Sequence, residues 1–370
     1  VIFLNFSKYG MKYWDDFERR ADETVDCLRN DKFPTIRRLS IHITNGCNFR
    51  CSYCNEHHDT LIKGTEDSLI MPFEIYSKIL CDYSDTGGGI VHITGGEPSI
   101  IKDLPNYIFE IVKHPTINFH MNTNFYRNIV PDDMFSLIKR LKVSLDTSNP
   151  KYFNQTCYVK DAFEKVTNNL DRLNRLIDNK ITDTVVSLTY TVTKQNFRDI
   201  INFLNMYYER WPHFYVTFFS SYKGTNPEFV LNDDEIHELF EEIIPRMNEI
   251  TDQHNDNETK MLFEMSHGRE TFIQGERFPD NKTVPCYLCL SELCINEIGD
   301  IWNCSHLFRD KVPSTGLNIM DGHLKDLSTA AKCGITIPVH EKCLYGCNKK
   351  LVTYNIRVHE KLKNLAKNLP

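Results

Sequence analysis

A chain of 370 residues with 41% hydrophobic content can bury one large core and a smaller appended one. The formal charge of −7 at pH 7, with no basic stripe beyond "RNDKFPTIRR", argues against a general binder of nucleic-acid backbone. No apolar run reaches bilayer length, "VIFLNF" is too short for a secretory signal, and an odd 13 cysteines in so long a chain do not suit a secreted disulfide framework, so a cytoplasmic protein with metal-holding cysteines is expected.

Within the opening extension, residues 1–38, "YWDDFERRADETVDCLRN" sets Trp14, Phe17, Ala21, Val25 and Leu28 on one face. This predicts an amphipathic helix capping the main domain. From Leu39 onward, strand-like stretches ("RLSIHIT", "IVHIT", "INFHMNT", "RLKVSLD", "TVVSLTYTV", "FYVTFF") alternate with helical patterns beginning near Met71, Asp103, Pro131, Asp161 and Asn196, and another follows near Asn232. Six strand–helix units in series predict an α/β protein with a parallel sheet and right-handed crossovers: a partial (β/α)6 TIM-like barrel over residues 39–225. "DTGGGI" has neither a GK[ST] ending nor a following helix and reads as a helix-to-strand turn, not a phosphate loop. A helix and connector over 226–280, containing the polar "QHNDNETK", lead to a small cysteine-rich domain, 281–350, and the tail, 351–370, reads as a basic amphipathic helix packed on the body.

"NGCNFRCSYCNE" puts Cys47, Cys51 and Cys54 within twelve residues, directly after the first strand. A tetrahedral zinc site completed by His57 or His58 is one reading. The other is a [4Fe–4S] cluster with only three of its four corners tied to protein, which leaves one iron open to a substrate or cofactor. The loop starts at the C-terminal rim, where barrel enzymes carry out their chemistry, and a structural zinc loop has no reason to prefer that rim. Farther on, "CINEIGDIWNC" predicts a hairpin turning at Gly299, which brings Cys286 or Cys289 near Cys304, and Cys343 with Cys347 would complete four thiolates. Cys27, Cys81 and Cys157 lie on or near helical segments, where a cysteine is usually a small buried hydrophobe. Cys157, read as lying in the loop "NQTCYVKD", is the one placed to face a barrel mouth.

"CNFRCSYC" followed by "TGGEP" resembles the radical S-adenosylmethionine (radical SAM) enzymes, over roughly Leu39 to Phe219. The resemblance implies that Cys47, Cys51 and Cys54 hold a [4Fe–4S] cluster whose open iron takes the amino and carboxylate groups of SAM. It implies that Tyr53 lies near the adenine, that Gly95 and Gly96 meet the methionyl amino group in a turn shaped by Glu97 and Pro98, and that Asn122, Asn124, Ser144 and Asp146 border the ribose and carboxylate. The C-terminal cysteines resemble twitch and SPASM extensions, which implies an auxiliary [4Fe–4S] cluster on Cys286, Cys304, Cys343 and Cys347, with Cys289, Cys294 and Cys333 as further candidates. The chain departs from the full SPASM spacing, because Gly334 and Ile337 stand where its first two late cysteines belong. The shorter twitch arrangement therefore leads, and two auxiliary clusters stay open.

The implied activity is reductive cleavage of SAM to a 5′-deoxyadenosyl radical that abstracts a substrate hydrogen, with a flavodoxin- or ferredoxin-type reductant. Peptide or protein modification by crosslinking, oxidation or epimerisation leads. Oxidation or epimerisation of a small polar metabolite, such as an amino sugar or aminocyclitol, is the alternative. Cys157 as a hydrogen donor would go with epimerisation. An iron–sulfur electron carrier or a zinc-stabilised scaffold is the non-enzymatic reading.

Overall fold

The computed structural model describes residues 10–54, 66–220, 227–260, 284–309, 311–333 and 349–367. In chain order the first elements are α1 (Gly10–Arg29), β1 (Arg38–Thr44), α2 (Phe73–Asp85), β2 (Gly89–Gly95), α3 (Leu104–Glu110), β3 (Ile117–Thr123), β4 (Arg140–Ser144), α4 (Pro150–Cys157), α5 (Ala162–Asp178), β5 (Val185–Val192), α6 (Ile200–Arg210) and β6 (Tyr215–Ser220). All six strands legible in the sequence form, and each pairs in parallel with the next. The glycines of "DTGGGI" make the turn from α2 into β2. One expected helix does not form: the segment after Pro131 is a 3-10 turn, Asp132–Leu137, too short a stretch to complete two α-helical turns.

The strands are two-faced. Leu39, Ile41, Val91, Ile93, Phe119, Met121, Leu141 and Val143 are buried with helix residues such as Ile79, Leu80, Ile108 and Leu170 in one core. The alternate positions carry polar groups, because successive strand residues point to opposite faces. In register across β1 to β4 stand Ser40, His92, His120 and Arg140. The next row contains His42, Thr94, Asn122 and Lys142.

After β6 come α7 (Asp233–Glu238), a π-helical turn (Leu239–Ile243) and α8 (Ile244–Gln253). The expected hairpin follows as β7 (Glu292–Ile295) and β8 (Ile301–Trp302), turning at Gly299. It is not set apart from the barrel: β7 pairs in parallel with β1, giving the strand order β6-β5-β4-β3-β2-β1-β7-β8. Leu293 and Ile295 align with Leu39 and Ile41 and share their core, so the hairpin covers an edge of β1 that would otherwise expose unpaired backbone.

The last helices are α9 (Ser305–Arg309), α10 (Leu324–Cys333) and α11 (Lys349–Lys367). The opening helix was expected to cap the main domain. Instead Ala21 and Val25 of α1 pack with Tyr354 and Val358 of α11 around Tyr287 to Leu290. A Thr24–Tyr354 hydroxyl pair at 2.6 Å and a Lys361–Asp22 ion pair at 2.5 Å link the two helices. Trp14 and Phe17 have side chains outside the described set. No described helix is long and apolar enough to cross a membrane.

Candidate active site at the strand ends

The cysteine loop leaves β1 and is fixed through its backbone. Arg50 N–H donates to the Cys157 carbonyl at 3.1 Å and Ser52 N–H to the Thr156 carbonyl at 3.0 Å. The loop thereby satisfies carbonyls that the end of α4 leaves open. Phe49, 3% exposed, packs edge-on against Tyr126 and Phe153. Its N–H also donates to Cys47 Sγ at 3.4 Å.

Burial pushes the Cys51 thiol well up, and the charges of Cys54, Cys47 and Cys157 push it further. Among the described residues no three such donors stand at metal-bonding spacing. His57 and His58 lie outside the described residues. Two observations fit a cluster here. Three cysteines within one loop are a soft donor set of the kind that holds iron–sulfur clusters, and the Asn48 side-chain nitrogen, inside the same loop, is buried without a partner.

Cys157 is the last residue of α4, not part of a loop, and is 2% exposed. Its thiol points at the Asn154 and Val159 carbonyls, 3.7 and 3.9 Å away, and burial raises its pKa to about 11. That position underlies the cysteine loop and does not face an open mouth. Cys81, expected to be buried, is exposed on α2, and Cys27 is half-buried.

The "GGEP" turn clasps the same loop. Gly96 N–H donates to the Thr44 carbonyl at 2.8 Å and Glu97 N–H to the Gly46 carbonyl at 2.7 Å. A Cβ on Gly96 would fall 1.9 Å from the Gly46 oxygen, and one on Gly95, where φ is +116°, 2.3 Å from the Thr44 oxygen. The sequence reading had these glycines approaching a ligand; what presses on them in the structure is the backbone of the cysteine loop. Glu97, 1% exposed, accepts from Thr123 Oγ1 at 2.6 Å, Asn124 N–H at 2.5 Å and Ser99 N–H at 2.9 Å. Burial raises its pKa against the pull of these bonds. Pro98 opens the 3-10 turn Pro98–Ile100. Gly96→Ala is expected to displace both loops: iron bound after anaerobic reconstitution should fall at least tenfold, with a thermal midpoint several degrees lower. Wild-type iron content in that variant would contradict this account.

The remaining candidates divide by what holds them. Asn124 Nδ2 donates to Asn48 Oδ1 at 2.9 Å, tying β3's end to the cysteine loop. Asn122 accepts from His92 Nε2 at 2.8 Å and lies on the polar face. Ser144 is exposed at the end of β4. Asp146, 3% exposed, accepts from the Tyr53 hydroxyl and, at 2.5 Å, from Thr191 N–H. Burial lifts its pKa to about 6 against those bonds. Tyr53 is thus tethered through its hydroxyl, with its ring edge-on to Phe229 at 6.1 Å.

Near the hairpin, Cys286 is pulled down to about 7, chiefly by a hydrogen bond from Cys289. Cys289 itself is raised by that bond, by burial and by the charges of Cys286 and Cys304. Cys289 Sγ lies 2.9 Å from the Cys286 carbonyl, and Cys304 is buried at the end of the hairpin. Cys294 stands on β7 opposite Ser40 and Trp302, and Cys333 is exposed at the end of α10. Cys343 and Cys347, with Gly334 and Ile337, lie outside the described residues. Sequence reading missed Lys332: 4% exposed, it donates to the Pro34 carbonyl at 2.8 Å. Burial lowers its pKa to about 8, and the charges of Cys27 and Cys289 oppose that shift. A lysine in an amphipathic helix gives no signal of such a place.

Residues 41–207 match the family model of the Radical SAM superfamily. The chain carries a radical SAM domain. The cofactors of that superfamily are SAM and a [4Fe–4S] cluster. The radical SAM domain is 30% identical over 137 residues to a protein named GTP 3',8-cyclase from Vibrio parahaemolyticus, a match covering 36% of this chain and 40% of that protein. The chain thus spans less than half the length of that relative. The fold is similar to that of Streptococcus suis SuiB bound to the precursor peptide SuiA, with a TM-score of 0.60 at 16% identity over 95% of this chain and 78% of that one. It is also similar to native anSMEcpe with bound AdoMet and Cp18Cys peptide, with a TM-score of 0.58 at 17% identity over 91% of this chain and 100% of that one.

Proposed function

We propose that the chain cleaves SAM reductively and uses the resulting radical to take hydrogen from an unactivated C–H bond of a peptide or protein. The observation that carries this is the mutual clasp of the cysteine loop and the "GGEP" turn at the strand ends, Gly96 N–H to Thr44 O and Glu97 N–H to Gly46 O. It holds Cys47, Cys51 and Cys54 on a rigid rim, the precondition for presenting a cluster to a cofactor. When bound, the cluster supplies the electron that splits the sulfonium of SAM, drawn from a flavodoxin- or ferredoxin-type donor.

The protein's own contribution is positioning. Glu97 ties the turn after β2 to the end of β3, Asn124 ties β3 to Asn48, and Asp146 holds the Tyr53 hydroxyl. Four separate loops are thereby fixed around one point, leaving exposed Ser144 available to a ligand. The fold's similarity to structures of SuiB and anSMEcpe that contain peptides supports a peptide substrate.

A small polar metabolite is the second reading, and the charged inner face of the sheet favours it. The test is anaerobic incubation of reconstituted protein with SAM and dithionite, followed by quantification of 5′-deoxyadenosine. Formation well above the protein-free rate is expected, and a rate equal to it would overturn the proposal.

A further inference from the structure

The eight strands contain a single acidic residue, Glu292, against Arg38, Arg140 and Lys142. All three cations lie on the polar face. Arg38 Nη2 donates to His92 Nδ1 at 2.9 Å, which makes Nδ1 an acceptor and puts the ring proton on Nε2. That proton goes to Asn122 Oδ1 at 2.8 Å, and the Asn122 amide nitrogen turns toward Thr94 Oγ1, 3.5 Å away. His92 is held neutral by burial and by the charges of Arg38 and Lys142.

His120 reports the same field. Burial and the charges of Arg140, Lys142 and Arg38 push its pKa down to about 3, with no carboxylate opposing them. Arg309 of α9 extends the field to His42, whose ring packs on Phe308 at 4.3 Å. Glu292 stands across from Arg38 at the far end of the face. The Arg140 guanidinium lies over the Tyr215 ring, 5.2 Å from its centroid, and its Nε is buried without a partner. A positive field of this density on a part-buried strand face is unfavourable unless an anion relieves it.

We propose that this face binds the anionic group of the substrate, a phosphate or a carboxylate, with Arg140 and Lys142 as its principal contacts. The reading deepens the second form of the proposed function and rests on it. Lys142 is in register with Asn122 on β3, and Ser144 is two residues farther along β4. A strand rises about 3.3 Å per residue, so Lys142 stands roughly 7 Å and Arg140 roughly 13 Å below Ser144, and an anion shared by the two would sit about 10 Å below the rim where SAM is expected. A substrate held there by its charged end can reach a radical formed at the rim.

The test uses the purified full chain under anaerobic conditions, titrated calorimetrically with inorganic pyrophosphate and with malonate at matched ionic strength. One-to-one binding of at least one of them is expected. Preference for pyrophosphate would assign a phosphorylated substrate and preference for malonate a carboxylate one. Arg140→Gln should weaken binding at least tenfold, Arg140→Lys should recover most of the loss, and Lys139→Gln, an equal charge change at a half-exposed neighbour, should bind as the wild type does. Should Arg140→Gln fail to fold, Lys142→Gln takes its place. Binding of neither anion, or equal weakening by Lys139→Gln, would overturn the proposal. Because the titration requires neither cluster nor reductant, anion binding without 5′-deoxyadenosine would discard the radical reading and keep the site, and the reverse result would discard the site alone.

Discussion

Cys51→Ala is expected to bring 5′-deoxyadenosine formation down to the protein-free rate while leaving in place any iron that the C-terminal cysteines take up. Cys51 is the central sulfur of the loop, repelled by Cys54 and Cys47 together. Removing it leaves two thiolates, too few to retain a cluster with one iron already open. A collapse of the loop is not the expected cause, because what fixes the loop is backbone. The Arg50 and Ser52 N–H groups still reach the end of α4, and Gly46 still meets Glu97 N–H. The variant's thermal midpoint without metal should therefore lie within about 1 °C of wild type, a shift worth no more than ~1 kcal/mol. Cys81→Ala, an exposed thiol on α2, controls for cysteine loss in general and should cleave SAM normally. Iron by mass spectrometry and product by chromatography decide the matter together. Unimpaired cleavage in Cys51→Ala would remove the first motif from the mechanism, whereas simultaneous loss of all iron would mean that the two cysteine groups are not independent.

Much of this was legible in the residues because the signals are local. Alternation of Ile and Val with polar residues marks β1, β2 and β4 whatever they pack against, and three cysteines in eight residues mark their own loop. What was not legible depends on partners distant in sequence. Nothing in "ELCI" says that β7 joins β1, since the pairing is set by an edge more than two hundred residues earlier. Ala21 and Val25 look suited to a barrel surface, yet α11 and Tyr287 cover them. The glycines of "GGEP" were read as meeting a ligand. The object pressing on them was not readable, because the Thr44–Gly46 backbone meets them only in the folded chain. Asp146 was expected to border a cofactor, and its fixed partners, Tyr53 and Thr191, come from two other segments. The cationic face was hidden for the same reason: Arg38, His92, His120, Arg140 and Lys142 sit on four different strands, each unremarkable alone.

That face also sets an acid limit on stability. His42 and His120 are each pushed down to about 3, by burial first and then by neighbouring arginines and a lysine, and His92 is pushed down for the same reasons. A base with a depressed folded pKa contributes nothing above its unfolded value near 6.5. Below that value the unfolded chain takes up a proton that the fold refuses, so stability falls as pH drops toward the folded pKa. Between pH 7.5 and 5.5 His42 and His120 each remove about 1.4 kcal/mol. The two together remove roughly 3 kcal/mol, a large share of an ordinary stability of about 5–15 kcal/mol, and His92 acts in the same direction. Asp146, raised to about 6, works in the opposite direction. Its folded form takes a proton before the unfolded chain does, which returns less than about 1 kcal/mol over the same window. Urea denaturation of wild type and His120→Gln at both pH values isolates one histidine, since every other titration cancels in the difference. The variant should lose about 1.4 kcal/mol less than wild type on acidification. Parallel losses would mean that His120 already carries a proton in the fold, which is incompatible with a face dominated by Arg140, Lys142 and Arg38.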